Sequence, residues 1–397
     1  MITLKNIIGA TLLAISVNAF AGDCTALSGQ YIIGKVENAD FQTITDATNA
    51  LKCGGVSSPV TFLIENGTYS EKIAIGAIPG ASAFNNITFE SKSGNNTDVI
   101  ITHSSSDATL SVNGAAYVSF ENLTIDHKAA TYGNTVLIDG KSSNLHFKSV
   151  VFDGVESART GANNATIYFA ANGPKSQILI EDCEINNGST GIFKSGPSAD
   201  SPDTKTSITG TLFFNQYETG LALTNEDAPI IINNVISSLS TYNSYKAINL
   251  DNAINGTMIS NNIINASNGS VGISMNNSSA EPTYMGEINN NSIAVGGKDQ
   301  AYGIYLTGST DNQILNFNRL KLSINGTAKE TQAYYKNAGT GININMMNNI
   351  CYDLGTGGYT IVGNSYKDFF NQLPGQSNPA LTVSANGIMI EKVSPIK

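Results

Sequence analysis

Several residue types are rare in this chain. Tryptophan is absent from the 397 residues, and arginine occurs only at Arg159 and Arg319. Charged residues make up 13%, about half the usual share. The net charge is −10 and no basic stripe offsets it, which argues against nucleic-acid binding. The apolar fraction of 41% is large enough for an extensive core, so general disorder is excluded.

The N-terminus has the pattern of a secretory signal peptide over residues 1–21. Lys5 supplies the positive charge, Ile7 to Val17 the short apolar stretch, and Ala19-Phe20-Ala21 the cleavage site. No later apolar run is long enough to span a bilayer, so we expect no membrane insertion. The pattern predicts a secreted protein, extracellular or held at the cell surface.

Four cysteines suit that oxidising compartment. Cys24 and Cys53 flank the first segment, and we predict that they form the only disulfide. Cys183 and Cys351 lie inside apolar periodicity, where a free cysteine behaves as a small hydrophobic residue.

An internal repeat dominates the rest of the chain. A glycine or alanine followed by alternating apolar residues recurs at intervals of about 25 to 38 residues. If the strands stack, one inward column consists of Ile192, Leu221, Ile248, Ile273, Ile304 and Ile342. The next column consists of Leu223, Leu250, Met275, Leu306 and Ile344, and Lys194 interrupts it in its first coil.

Asparagine-rich turns repeat with the same period. They lie near Asn234, Asn262, Asn290 and Asn349. Asparagine tolerates the left-handed backbone conformation, so it can turn a corner between strands. Stacked asparagines can also form hydrogen bonds with each other along the axis.

Three upstream segments align without gaps: "VSFENLTIDH", "LHFKSVVFDG" and "ILIEDCEINN". The alignment stacks Phe120 on Phe147, places Cys183 in the core, and forms an outward ladder of alternating charge. That ladder consists of Glu121, Lys148 and Glu181.

These patterns predict an all-β fold, a single right-handed parallel β-helix with an N-terminal capping helix. The cap would span residues 22–56, with its helix at about 41–52. The β-helix would span 57–373, and residues 374–397 would form a C-terminal tail or cap.

Two consecutive segments, "DFQTITDATNAL" and "VTFLIENGTYSEKIAI", resemble the opening of pectin methylesterases, which are right-handed β-helices. The later asparagine-rich coils resemble secreted bacterial β-helix repeat proteins. The resemblance implies the pectin-lyase-like fold. It does not imply the esterase chemistry, because Gly191 stands where the family has its nucleophilic aspartate. Glu156 and Ser157 stand at its Gln-Asp pair, and Asn134 lies near its other glutamine.

Other chemistries of this fold also lack their residues. None of the histidines has the Gly-His-Gly setting of a glycoside hydrolase; they are His103, His127 and His146. Arg159, near Asp153 and Glu156, is the only trace of a lyase-type base. We interpret Asp126-His127-Lys128 as a turn rather than a catalytic triad.

No metal or other cofactor is predicted, because no His or Cys pair has zinc-ligand spacing. Calcium among Asn249, Asp251 and Asn276 is left open.

The sequence favours a non-catalytic protein that binds carbohydrate or another surface polymer, as an adhesin does. Two alternatives stay open: a polysaccharide lyase, hydrolase or esterase with an unrecognised site, and a structural spacer of the cell envelope. The sequence leaves the oligomeric state undetermined. Tyrosines near the start of the later strands, with neighbouring amides and one carboxylate, suit a sugar chain. The predicted contact residues are Tyr245, Tyr302, Tyr305, Asn249 and Asp251.

Overall fold

The chain folds as a parallel β-solenoid of about ten turns. The computed structural model describes residues 24–390 except 105–107, 130, 157, 267, 269–270, 298–299, 325–329, 338–343, 348, 353–358, 362–365, 368–370, 373–380 and 385–386. The predicted signal peptide, 1–21, lies outside the described residues. Each coil contributes one strand to each of three parallel ladders, and the predicted all-β parallel β-helix with a capping helix is confirmed.

The chain visits the ladders in a fixed order, from the first to the second to the third. The first ladder consists of Ile73–Ile75, Leu110–Asn113, Val136–Asp139, Ile167–Phe169, Thr190–Ser195, Thr219–Asp227, Lys246–Ile254, Val271–Asn276, Gln300–Thr307, Glu330–Asn337 and Tyr359–Ile361. The second consists of Leu27–Ile33, Val56–Ile64, Ile87–Ser91, Ala116–Glu121, Ser143–Lys148, Ser176–Glu181, Asp203–Thr209, Ile230–Ile232, Met258–Ser260, Gly286–Asn289, Gln313–Asn316, Ile344–Met347 and Tyr366–Lys367. The third consists of Gly67–Ser70, Val99–His103, Thr124–His127, Val151–Asp153, Glu184–Asn186, Leu212–Phe214, Val235–Ser238, Ile263–Ala266, Ser292–Gly297, Arg319–Ile324, Asn349–Tyr352 and Asn371–Gln372.

Two further strands, Leu381–Ser384 and Gly387–Ile390, form an antiparallel hairpin. The second of them pairs with Tyr359–Ile361 of the first ladder. A short 3-10 helix, Ala162–Asn164, lies in a loop. Within the part of the chain that the structure describes, no helix has the length and apolarity needed to cross a membrane.

The capping helix runs from Ile44 to Gly54. The Thr43 side chain caps its first turn by accepting a hydrogen bond from the backbone N–H of Asp46, at 3.0 Å. The helix buries an apolar face against the first coils. Its last turn is joined to the start of the described chain by the predicted Cys24–Cys53 disulfide, whose Cα atoms are 5.2 Å apart.

The inward columns are present in the predicted register as far as Ile304. The next position is not Ile342, which lies outside the described residues; Tyr334 pairs with Ile304 instead. Ile344, predicted for the second column, belongs to the second ladder and pairs with Gln313. The Gly341 segment was therefore assigned to the wrong ladder, because the sequence around Tyr334 lacks the glycine that marks the other strands.

Aromatic side chains form a stack through the early coils of the second ladder. The rings of Phe62, Phe89, Phe120 and Phe147 follow one another at centroid distances of 4.7, 5.3 and 5.6 Å. The predicted Phe120–Phe147 pairing and the outward Glu121–Lys148–Glu181 ladder are both in register.

A column of buried asparagines runs through the corner between the second and third ladders. Its members are Asn234, Asn262, Asn291, Asn318 and Asn349. Each Nδ2 donates to the Oδ1 of the next at 2.9–3.1 Å. Asn290 takes the left-handed corner with φ 56°, as predicted for these turns, and its neighbour Asn291 is the member of the bonded column.

Candidate functional site

The outer face of the first ladder carries a row of residues that points away from the core, because side chains alternate along each strand. In register, this outer row consists of Tyr168, Phe193, Ala222, Asn249, Ser274, Tyr305 and Tyr335. This stretch of the column is bounded by two aromatic pairs, and the same register continues to Leu137 before Tyr168 and to Thr360 after Tyr335. Small or amide side chains lie between the two pairs.

Both aromatic pairs are in ring contact. Tyr168 and Phe193 meet edge to face at 5.8 Å. Tyr305 and Tyr335 are nearly parallel, with an interplanar angle of 15° and a centroid distance of 5.1 Å. The Tyr302 ring lies 5.0 Å from Tyr305 and 5.2 Å from Tyr335, so it supports this pair from the side.

Polar side chains adjoin the middle of the outer row. Lys246 Nζ donates to Asn249 Oδ1 at 3.0 Å, and Asn276 Nδ2 donates to Asp251 Oδ1 at 2.9 Å. Burial lowers the pKa of Lys246, while the nearby Asp251 carboxylate acts in the opposite direction. Asp251 and Asn276 are thus bonded to each other, and the row offers amide, carboxylate and ammonium groups beside its rings.

Three predicted contact residues, Asn249, Asp251 and Tyr305, are half-buried on this face. Tyr245 was predicted wrongly, because its side chain is fully buried in the core. A Cβ at Gly220 would be 3.4 Å from the Tyr245 hydroxyl, an ordinary contact distance, so the hydroxyl packs against this glycine of the preceding coil. Burial also raises the pKa of Tyr245. Tyr302 is only 5% exposed, so it cannot offer a ring face and acts as a support.

A groove of about 770 Å³ lies at the loops that precede the first-ladder strands. Its lining includes three tyrosines and one of the two arginines, namely Tyr132, Tyr217, Tyr242 and Arg159. The rings of Tyr217 and Tyr242 are 5.4 Å apart. The backbone N–H of Gly161 donates to Glu218 Oε2 at 2.7 Å, which ties one wall of the groove to the loop two coils further on. Sequence reasoning missed Tyr132 and Tyr242, since loop residues carry no periodic signal.

A second depression, of about 410 Å³, adjoins the groove. The two share Ala158 and Tyr217, and the exposed Glu156 lines the second one. The sequence placed Glu156 near Arg159 as the only trace of a catalytic pair. The structure puts the two residues in adjacent depressions on either side of Tyr217.

The segment Asp126-His127-Lys128 does not form a triad. His127 points inward, is 2% exposed, and its Nδ1 lies 3.0 Å from Thr109 Oγ1. Lys128 Nζ forms ion pairs with Asp126 at 2.9 Å and with Asp153 at 3.9 Å. Lys128 therefore partly neutralises the carboxylates of Asp126 and Asp153. Where the sequence predicted a turn, the structure has the end of the strand Thr124–His127.

The positions that correspond to esterase residues also differ from a catalytic arrangement. A Cβ at Gly191 would lie 2.6 Å from the Gly220 carbonyl oxygen and 2.8 Å from the Phe213 ring. No side chain fits there without a backbone shift, so this position cannot carry a nucleophile. Ser157 lies outside the described residues.

No family model matches the chain, and no curated protein matches it. Among solved structures, the chain is similar to PfbA, a surface adhesin of Streptococcus pneumoniae, with 14% identity and a TM-score of 0.52. The match covers 88% of this chain and 95% of the adhesin. The pectate lyase Pel9A matches with 13% identity and a TM-score of 0.50, over 77% of this chain and 79% of the lyase. These identities show the fold alone: the protein is a β-helix of the kind found in a surface adhesin and in a polysaccharide lyase.

Proposed function

We propose that this protein is secreted or displayed at the cell surface, and that it binds a polysaccharide through the outer row of the first ladder. The observation that carries the proposal is the presence of two aromatic pairs, Tyr168–Phe193 and Tyr305–Tyr335, in one register on the outer face of the first ladder. The disulfide between Cys24 and Cys53 supports an extracellular location, since disulfides persist in oxidising compartments.

The chemistry of the row suits a neutral or weakly polar sugar chain. An aromatic side chain offers a large apolar face to the apolar face of a pyranose ring, and a tyrosine hydroxyl adds a hydrogen-bonding group. Between the aromatic pairs, the small side chains of Ala222 and Ser274 do not project from the surface. Asn249 and Asp251 offer hydrogen-bond partners for sugar hydroxyl groups. Strand stacking at about 4.8 Å per coil extends the row along the axis, which favours a polymer over a compact ligand.

The test is binding of the mature protein to a panel of neutral and acidic polysaccharides, measured by calorimetry. A Tyr305→Ala/Tyr335→Ala variant should lose most of the affinity at an unchanged melting temperature. Tyr284→Ala is the matched control, because Tyr284 is 70% exposed and lies outside the row. Equal binding by the double variant and by the wild type would refute the proposed surface.

A second candidate function is an enzyme that acts on a polysaccharide, and the groove favours it. Arg159 and Glu156 line adjoining depressions, and the rings of Tyr217 and Tyr242 could position a sugar beside them. Release of unsaturated or reducing ends from a polymer, lost in Arg159→Gln or Glu156→Gln, would establish this activity. If no polysaccharide of the panel gives product but binding is intact, only the binding function remains supported.

A further inference from the structure

Three ionisable side chains meet inside the solenoid, away from every surface described above. Lys194, Asp203 and Glu226 are each buried, and their side chains are 0% exposed. Lys194 Nζ contacts Oδ2 of Asp203 and Oε1 of Glu226. Asp203 and Glu226 are paired residues on adjacent parallel strands, so the backbone register holds both carboxyl groups at the lysine.

The cluster has defined neighbours. The backbone N–H of Lys175 donates to Asp203 Oδ1 at 2.7 Å, and Thr206 Oγ1 donates to Glu226 Oε2 at 2.7 Å. The Lys194 ammonium position lies 5.7 Å from the centre of the Phe169 ring. Each carboxyl group thus has one oxygen on the lysine and the other on a fixed donor.

Such a cluster is costly as a set of charges. Lysine and acidic residues are almost never fully buried, and removing each ion from water costs several kcal/mol even after relaxation. Burial raises the pKa of Glu226, and the adjacent Lys194 opposes that shift. Glu226 is therefore suited to hold a proton beside the other two groups.

We propose that Lys194 and Asp203 condense to an intramolecular isopeptide bond, with Glu226 as the proton carrier. Proton transfer from the Lys194 ammonium to the Asp203 carboxylate first gives a neutral amine and a neutral acid. Nζ then attacks Cγ of Asp203. Glu226 donates a proton to the departing hydroxyl and takes one back from Nζ, so that one C–N bond forms, one C–O bond breaks, and one water molecule leaves.

The geometry favours Asp203 as the partner over Glu226, because a rigid backbone N–H holds Asp203 Oδ1 whereas a rotatable Thr206 hydroxyl holds Glu226 Oε2. An amine hydrogen-bonded to a carboxyl oxygen is at about the 3–3.5 Å separation of a near-attack arrangement from the carboxyl carbon. The Lys175 N–H on Asp203 Oδ1 is placed to stabilise the oxyanion of the tetrahedral intermediate. The product amide is neutral, so the reaction removes two buried charges in a site that excludes water.

The test is the intact mass of the purified wild-type protein, followed by tryptic mapping under denaturing, reducing conditions. After reduction of the Cys24–Cys53 disulfide, we expect a mass lower than the sequence mass of the mature chain by one water molecule. Trypsin should cleave after Lys175 and Lys205 but not after Lys194, because an acylated lysine is not a substrate. Lys175 is an internal control, since it is also buried but its Nζ contacts only the carbonyl oxygens of Ala170 and Gly173.

Three outcomes would overturn the proposal. Full mass with complete cleavage after Lys194 would show that the cluster remains an ion pair. Fragment spectra that link Lys194 to Glu226 would show that the wrong carboxyl group was assigned. A Glu226→Gln variant that folds cooperatively and keeps the mass deficit would refute its role as proton carrier, whereas recovery of the full mass in that variant would support it.

Discussion

Asn262 Oδ1 accepts two hydrogen bonds from Asn234, one from its backbone N–H and one from its Nδ2, and both are 3.0 Å long. The Asn262 Nδ2 group donates in turn to Asn291 Oδ1 and to the Ile231 carbonyl oxygen. Both the oxygen and the NH₂ group of the Asn262 side chain are thereby hydrogen-bonded, and the residue is 0% exposed. Each asparagine binds the coils before and after its own, so the column holds the solenoid together at one corner.

Asn262→Ala should therefore be strongly destabilising. The change leaves the Asn234 N–H and the Ile231 carbonyl oxygen without partners, and a buried group left unsatisfied costs ~1–3 kcal/mol. We expect a loss of about 3 kcal/mol in the free energy of unfolding, measured by urea denaturation. Asn265→Ala, in the strand that directly follows Asn262, is the matched control, because Asn265 is exposed. An equal effect of both changes would mean that the column adds no stability.

The sequence predicted the coil register but not every position in it. The stacked strands were recognisable because glycine and alternating apolar residues repeat together. The turn near Asn290 was predicted, but the sequence did not show that Asn291 is the bonded member of the column, because this corner contains three consecutive asparagines. Asn318 was missed altogether, since Phe317 rather than an asparagine takes the left-handed corner before it, with φ 57°.

The candidate site was less predictable for a related reason. Alternation identifies an outward position, as at Tyr305 and Asn249, only where a strand has been assigned correctly. Tyr245 lies in a loop before its strand, and the sequence of a loop does not show whether a side chain turns inward. Its ring is fully buried in the core, with its hydroxyl beside Gly220 of the preceding coil. The aromatic pair Tyr168–Phe193 is outward for the same reason as Tyr305, but these residues lie in earlier coils than the strands from which the contact residues were predicted.

Cys183 should be inert in the folded protein. Burial raises the pKa of its thiol to about 12, and Sγ lies 3.4 Å from the Phe147 carbonyl oxygen. The thiolate is the reactive form. In a Cys351→Ser background, we expect no labelling by iodoacetamide at pH 8 in native buffer and complete labelling in denaturant. Rapid labelling of the native protein would contradict the burial of this position.

Reduction of the Cys24–Cys53 disulfide should weaken the capped end of the solenoid. The bond closes a loop with a sequence separation of 29 residues, and a cross-link of this length contributes about 3 kcal/mol. A Cys24→Ser/Cys53→Ser variant should lose that amount in urea denaturation. The wild type measured with and without reductant is the companion experiment, and a cap held mainly by its apolar helix face would show almost no difference.

Asp153 should make the stability depend on pH. Desolvation raises the pKa of its carboxyl group, although a hydrogen bond from Asn187 opposes the shift. Since the folded-state pKa is above the unfolded one, the folded state binds the proton more tightly. The associated stability is complete below about pH 4 and is lost as the pH rises through the folded-state pKa. Asp153→Asn should remove this pH-dependent component. The free energy of unfolding of the variant, relative to that of the wild type, should therefore increase between pH 3 and pH 7. A difference that is constant with pH would contradict it.

The last prediction concerns the length of the ligand. From Phe193 to Tyr305 the outer row advances four coils, which is about 19 Å along the axis. If one sugar chain lies along the row, short oligosaccharides can contact one aromatic pair only, whereas longer ones reach both. Affinity should therefore rise with oligosaccharide length until the ligand spans both pairs, because the second contact becomes intramolecular.

Phe193→Ala and Tyr335→Ala should each reduce the affinity for the long ligand, and their combined effect should exceed that of either change. For a short ligand, one of the two changes should have no effect. Calorimetry with a series of oligosaccharides measures these affinities for the wild type, the two single variants and the double variant. Affinity that does not depend on length, or a Phe193→Ala variant with wild-type affinity for the polymer, would place the ligand elsewhere than along the row.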